Sequence, residues 1–328
     1  MTFAGRQGLG AGLLGRRGTL ARAVDGVDMS IGSGEVVALV GESGCGKTSL
    51  ARAIMGLVRP TGGEILYRGR RVSRRELRDY RKRVQMVFQD PAGSLNPRQT
   101  VYEAVAEGVR IHRIPGQEEA MVADALTQAG LRPPERFFLL YPHELSGGQR
   151  QRVLIAGALA LKPELIVADE PVSMLDASVR GEILRLLVDL RRTLKVGLLV
   201  VTHDLGLAWT VADRIAVMYL GRIVEEGPAE DVLLRPMHPY TKALLSVATE
   251  GGGDRREEAV LQGEPPDPSR IPPGCRFHPR CPALASGVSD RLGVADKCRG
   301  EDPPLAELRP AHRAACHVAA VENARATG

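Results

Sequence analysis

Residues 41–48 read Gly41-Glu42-Ser43-Gly44-Cys45-Gly46-Lys47-Thr48: glycines, then a cation, then a hydroxyl. The glycines let successive backbone N–H groups converge on one point, which suits an anion. Lys47 can neutralise the β- and γ-phosphates of a nucleoside triphosphate, and the Thr48 hydroxyl can ligate Mg²⁺. Ser43, Cys45 and Ser49 complete the candidate phosphate contacts. Cys45 has no positioned base nearby in sequence and reads as a small loop residue, not a nucleophile. Farther along, Asp169 and Glu170 form a carboxylate pair: Asp169 to join the metal's ligand shell, Glu170 to deprotonate an attacking water as general base. His203 can hydrogen-bond a γ-phosphate and keep that water in line, and Gln89 offers a neutral amide to the Mg²⁺ or the water.

Each of these groups follows an apolar run of strand type. Residues 35–40 precede the glycine loop, 83–88 precede Gln89, 164–168 precede Asp169, and 196–202 precede His203. The expected fold is therefore α/β, with a mostly parallel sheet whose C-terminal edge collects the chemistry. Residues 48–55 switch to helical spacing, placing the loop at a strand-to-helix turn. A second anion-binding helix start is predicted at Leu145-Ser146-Gly147-Gly148-Gln149, ahead of a helix over 150–161. There the Ser146 hydroxyl and the N–H groups of Gly147 and Gly148 can embrace a phosphate.

In this order the residues resemble the ATPase subunits of ABC transporters. The chain shows a Walker A loop (41–48), a Gln-loop at Gln89-Asp90-Pro91, a signature (145–149), a Walker B strand with its glutamate (165–170), an Asp-loop at Ser173-Met174-Leu175-Asp176, and a switch histidine, His203. The resemblance implies an ABC-type nucleotide-binding domain over 1–250. It would have a small antiparallel β-subdomain (19–34 and 62–72) and a helical signature subdomain (about 92–160), followed by a tail over 251–328. It also implies a head-to-tail pair of ATPases sharing two ATP molecules, each held by one subunit's loop and by the partner's Ser146, Gly147, Gly148, Gln149 and Asp176. Met174 stands where alanine is common in the family.

The resemblance narrows at three places. Phe88-Gln89-Asp90-Pro91-Ala92-Gly93-Ser94-Leu95-Asn96-Pro97, Tyr141-Pro142-His143-Glu144 and Met237-His238-Pro239-Tyr240-Thr241-Lys242 look like the importers for dipeptides, oligopeptides and nickel. Gly56-Leu57-Val58-Arg59-Pro60-Thr61-Gly62-Gly63, with Leu95-Asn96-Pro97-Arg98, resembles the second ATPase of such pairs more than the first. Implied partners are a non-identical ATPase, two transmembrane permease subunits and an extracytoplasmic solute-binding protein, with this chain on the cytoplasmic face of the membrane. Peptides lead as cargo, with nickel or another small solute as the alternative. A soluble ABC-type ATPase acting on nucleic acid or ribosomes would carry a long coiled-coil insertion or tandem modules, and neither is seen.

Composition bounds these readings. The chain has 328 residues, a formal charge of +5 and only 4% aromatics. Its basic residues fall in short runs at 68–75 and 78–83, which suits a solvated face near anionic lipid better than nucleic acid. No apolar run reaches the roughly 18 residues needed to cross a bilayer, and no signal peptide is expected. Phe3 is the aromatic available to stack on adenine, since residues 4–40 contain none. No strand precedes it, so either the true start lies upstream or adenine is held loosely.

Beyond residue 250 the composition shifts, with linkers expected at 251–254 and 265–268. Cys275, Cys281, Cys298 and Cys316 follow, separated by five, sixteen and seventeen residues. The Pro-rich surroundings argue against a core role, and a reducing cytoplasm argues against disulfides. Metal ligation is the expectation, with zinc and iron–sulfur both open on spacing. Resemblance to importer tails carrying Pro272-Pro273-Gly274-Cys275-Arg276-Phe277-His278-Pro279-Arg280-Cys281-Pro282 implies a [4Fe–4S] cluster; His278 and His317 are substitute ligands if one cysteine fails.

Overall fold

Alternation along the central strands decides which layer each residue joins. The computed structural model describes residues 2–4, 20–248 and 266–327. In strand β3 (Val36–Val40), which follows β1 (Thr2–Ala4) and β2 (Leu20–Arg22), every residue is buried. Val37 and Leu39 face the helix Lys47–Ile54, in one cluster with Val167, Leu199, Val201 and Met218. Ala38 and Val40 face the other way and pack with Ile215, Val217 and Tyr219. Burial on both faces is what a parallel strand flanked by helices requires, and each buried Val or Leu contributes about 1.5–3 kcal/mol.

After the short strands β4 (Leu66–Tyr67) and β5 (Arg70–Arg71) come β6 (Val84–Val87), β7 (Leu165–Asp169), β8 (Gly197–Thr202) and β9 (Arg214–Tyr219). Strands β6, β7, β8, β3 and β9 lie side by side in that order, all parallel. Their C-terminal ends therefore share one edge. The register is tight there: Val87 opposes Ala168, Asp169 opposes Val201, and Val40 opposes Thr202.

The helical arm carries Val101–His112, Glu118–Gln128 and Gly147–Leu159. Thr100 and Glu103 form a capping box at its entry, so two otherwise orphaned N–H groups are satisfied. Val105, Val109, Leu126 and Ile155 then join Ile166, Leu198 and Val200 of the sheet in one core.

Two expectations change. Residues 19–34 give only β2, which pairs with β1, while 23–35 form no ladder; Gly26 and Gly34 both adopt φ of +67° there and break the extended run. Among the described residues the small antiparallel part consequently consists of two two-stranded sheets, β1–β2 and β4–β5. The cysteine-bearing tail, moreover, joins the main sheet. Its strands β11 (Ala306–Arg309) and β12 (His312–Ala314) extend the main sheet through β10 (Arg222–Pro228). The expected linker at 251–254 lies outside the described residues.

The join is buried and polar. Glu225 of β10, fully shielded, accepts from His312 Nε2 at 2.8 Å and from the N–H groups of Met237 and His238 at 2.8 and 2.9 Å. Such a carboxylate is tolerated only because its oxygens are satisfied. Nearby, Phe277 of the tail packs against Tyr219 and Tyr240, with ring centroids 5.3 Å from each.

Candidate active site

The phosphate loop needs glycine where backbone crowds it. A Cβ at Gly46 would stand 1.9 Å from the Ala23 carbonyl oxygen, and one at Gly41 would stand 2.2 Å from that of Met218. Gly46 has φ of +111° and directly precedes the helix Lys47–Ile54, whose N-terminal amides suit a phosphate. Lys47 is 6% exposed, its ammonium held by the carbonyls of Gly41 (2.7 Å) and Glu42 (2.9 Å). Ser43 and Gly44 are exposed on the loop, Ser49 is half-buried, and burial pushes the Cys45 thiol up, consistent with an inert thiol.

Across β8, Thr48 Oγ1 donates to Asp169 Oδ1 at 3.2 Å. Burial holds the Asp169 carboxyl above the ordinary carboxylate range, against the Thr48 hydrogen bond, which lowers it. A buried acid beside a hydroxyl, at the mouth of a phosphate cradle, fits Mg²⁺: a divalent cation would reverse the cost of that charge.

Glu170 is the hinge of the site. Its backbone is left-handed at φ of +47°, a strained conformation for a residue with a side chain, and its N–H donates to the Val201 carbonyl at 2.8 Å. The turn brings its carboxylate between two partners. Gln89 Nε2 donates to Oε2 at 3.0 Å, and His203 Nδ1 lies 3.2 Å from Oε1. The three candidate catalytic side chains thus meet at one carboxylate, from the ends of β6, β7 and β8.

The signature goes elsewhere. Ser146 caps the helix Gly147–Leu159, which starts earlier than the predicted 150: its Oγ accepts from the Gln149 N–H at 3.2 Å, and Gln149 Oε1 accepts from the Ser146 N–H at 2.9 Å. Gly148 packs so close to Val179 that a Cβ would come within 2.5 Å of its Cγ1. Asp176 starts the helix Ala177–Leu194, and Met174 beside it is 61% exposed. Among the described residues, no hydrogen bond or ion pair links 145–149 to 41–49. Phe3 lies on β1 opposite Ala21.

The tail cysteines depart from expectation. All four are free; Cys281, Cys298 and Cys316 are buried among apolar side chains, so the tail does supply a core. Burial, joined by the charges of Cys316, Cys281 and Cys298, pushes the Cys275 thiol up to about 12. Yet among the described residues no three His, Cys, Asp or Glu side chains are grouped to hold a metal ion. His278 Nδ1 and His317 Nε2 are engaged by the carbonyls of Cys275 and Glu301. The expected zinc or iron–sulfur ligand set is thus not preassembled.

Two residues from distant segments hold the phosphate loop and were not legible in the sequence. Tyr240 Oη accepts from the Glu42 N–H at 2.9 Å, and Arg280 Nη1 lies 3.1 and 3.0 Å from the Glu42 carboxylate oxygens. Both sit in motifs noted for resemblance and given no chemistry.

A phosphate cradle, a buried acid beside it and a carboxylate held at the same sheet edge fit a P-loop ATPase. The model of the ABC transporter family matches residues 24–173, and that of the oligopeptide/dipeptide transporter C-terminal region matches 224–286. The chain is 45% identical to a probable peptide ABC transporter ATP-binding protein, y4tS, of Sinorhizobium fredii, over 92% of this chain and 84% of that one. It is 42% identical to the oligopeptide transport ATP-binding protein AppF of Bacillus subtilis, over 94% and 93%. Among solved structures it is similar to the dimeric post-hydrolysis ATP-binding cassette MJ0796 bound to ADP and Pi, with TM-score 0.58 and 30% identity, covering 70% of this chain and 96% of that one. The CbiO1 protein of Clostridium perfringens gives TM-score 0.60 and 32% identity, over 66% and 86%. The chain belongs to the ABC transporter ATPases, in the branch that carries the oligopeptide/dipeptide C-terminal region, and it is an ATP-hydrolysing subunit.

Proposed function

We propose that this ATPase powers import of di- or oligopeptides as one half of a head-to-tail pair. The observation that carries the reading is a divided site: Glu170, Gln89 and His203 meet beside Thr48 and Asp169, while the signature sits capped on its own arm. A partner chain then supplies Ser146, Gly147, Gly148, Gln149 and Asp176 to the phosphates held here. Lys47 balances the β- and γ-phosphate charge. Glu170 takes the proton of the attacking water, with His203 and Gln89 fixing its carboxylate in line. Mg²⁺, held by Thr48, Asp169 and Gln89, would supply charge stabilisation on the transferring phosphoryl group. Loss of the shared phosphate opens the pair.

The partner ATPase is non-identical in this reading, and the pair sits on the cytoplasmic face beneath two permease subunits fed by a binding protein. Exposed Phe88 beside Gln89, with Leu139 and Tyr141 on the arm, supports docking of permease helices; no helix among the described residues is long and apolar enough to cross a membrane. Adenine stacks on Phe3, and residues 1–250 and 251–328 form the ATPase domain and the tail. An iron–sulfur or zinc site on Cys275, Cys281, Cys298 and Cys316 would need these side chains to regroup, and is tested by iron and zinc analysis of protein purified without oxygen, beside Cys275→Ala.

Cargo is tested in the host cell. With Lys47→Ala replacing the native residue, uptake of labelled oligopeptide should stop while nickel uptake continues. Loss of nickel uptake alone would overturn the peptide reading.

A further inference from the structure

Glu42 is tied at three of its groups. Its N–H donates to Tyr240 Oη at 2.9 Å, its carbonyl accepts from Lys47 Nζ at 2.9 Å, and its carboxylate faces Arg280 Nη1 at 3.1 and 3.0 Å. Tyr240 and Arg280 lie outside the stretch matched as the ABC transporter family and inside the C-terminal region. We propose that Arg280, with Tyr240, is a positioning residue for ATP binding, through which the C-terminal region sets the phosphate loop.

The physical case begins with charge. A carboxylate on a loop built to receive a triphosphate repels it, more strongly because the surroundings are poorly hydrated. Arg280 cancels that charge at its source. The guanidinium side chain is only 6% exposed and the Glu42 side chain 18%, so water cannot substitute for the pair. The ring of Tyr219, whose Oη lies 3.5 Å from Arg280 Nη1, packs 4.6 Å from that of Tyr240, and Phe277 closes the group. The backbone matters equally. The Glu42 carbonyl is one of two that anchor the Lys47 ammonium, so a shift of Glu42 moves the charge that grips the phosphates. No remote surface contact would have this lever.

The test uses the full chain with Mg²⁺, a fluorescent ATP analogue for affinity, and steady-state hydrolysis in the presence of its companion subunits. Arg280→Ala should weaken nucleotide affinity and raise KM about 10-fold, with kcat changing less than about 2-fold. Arg280→Lys should recover most of the loss. The decisive variant is Arg280→Ala with Glu42→Gln, which should regain affinity because the uncompensated charge is gone; a merely structural contact would not be rescued this way. If Arg280→Ala does not fold, Arg280→Gln with and without Glu42→Gln reads the same contrast. Unchanged KM, or a double variant no better than the single, overturns the assignment. Wild-type hydrolysis in the same assay separates that failure from failure of the ATPase reading.

Discussion

The Thr48 hydroxyl donates to Asp169 Oδ1 across 3.2 Å, joining the end of the phosphate loop to the end of β7. Asp169 is 4% exposed, and burial holds its carboxyl above 3.8. A carboxyl raised on folding costs stability once pH exceeds its range, because the folded state must keep a charge it hydrates poorly. Asp169→Asn should therefore raise the Tm of the metal-free protein at pH 7, and the gap should shrink as pH falls toward the carboxylate range. Hydrolysis should fall by about 100-fold or more. Thermal melts and ATPase rates on the same samples check both; a lower Tm at pH 7 would contradict the burial argument.

Glycines of the loop should differ sharply in tolerance. Gly44 has φ of +79° with open space around a built Cβ, whereas Gly46 has φ of +111° and meets the Ala23 carbonyl. Gly44→Ala should cost about 1 kcal/mol of backbone strain. Gly46→Ala should cost about 3 kcal/mol or more and abolish nucleotide binding. Denaturant titration beside nucleotide binding measures both, and equal effects would contradict the placement of the loop against residue 23.

Buried His238 predicts acid sensitivity above the carboxylate range. Its Nδ1 accepts from the Tyr240 N–H at 3.0 Å, and burial lowers its pKa to about 4, against the pull of Glu225. A histidine depressed on folding contributes stability that is full above about 6.5 and is lost as pH falls toward 4. The wild type should lose about 2 kcal/mol between pH 6.5 and 5 from this group. His238→Asn, whose Oδ1 can still accept from Tyr240, should flatten that slope in equilibrium unfolding at a series of pH values. An unchanged slope would place the titration elsewhere.

The placement of the proposed catalytic groups was legible because their chemistry demands a particular side chain at the end of a particular strand. Asp169, Glu170, His203 and Gln89 each follow an apolar run, and parallel pairing then has to bring the ends to one edge. What stayed hidden depends on contacts between distant segments. Strands β11 and β12 are three or four residues long and show no apolar alternation strong enough to announce a sheet; they form because β10 offers an edge and Glu225 offers His312 a buried partner. Arg280 and Glu42 are 238 residues apart, and neither side chain looks special alone. The tail thiols misled in the opposite sense: local composition is Pro-rich, but the apolar neighbours of Cys298 and Cys316 include Met237, from the segment ahead of the tail.

The central claim is that two chains complete one ATP site whose water is activated by Glu170. The most direct measurement is the mass of the Glu170→Gln chain, with its companion ATPase subunit, by light scattering with and without Mg-ATP, beside its hydrolysis rate. The prediction is an ATP-dependent closed pair that persists because turnover has dropped about 100-fold or more. Unchanged turnover, or a mass that ATP does not alter, would contradict it.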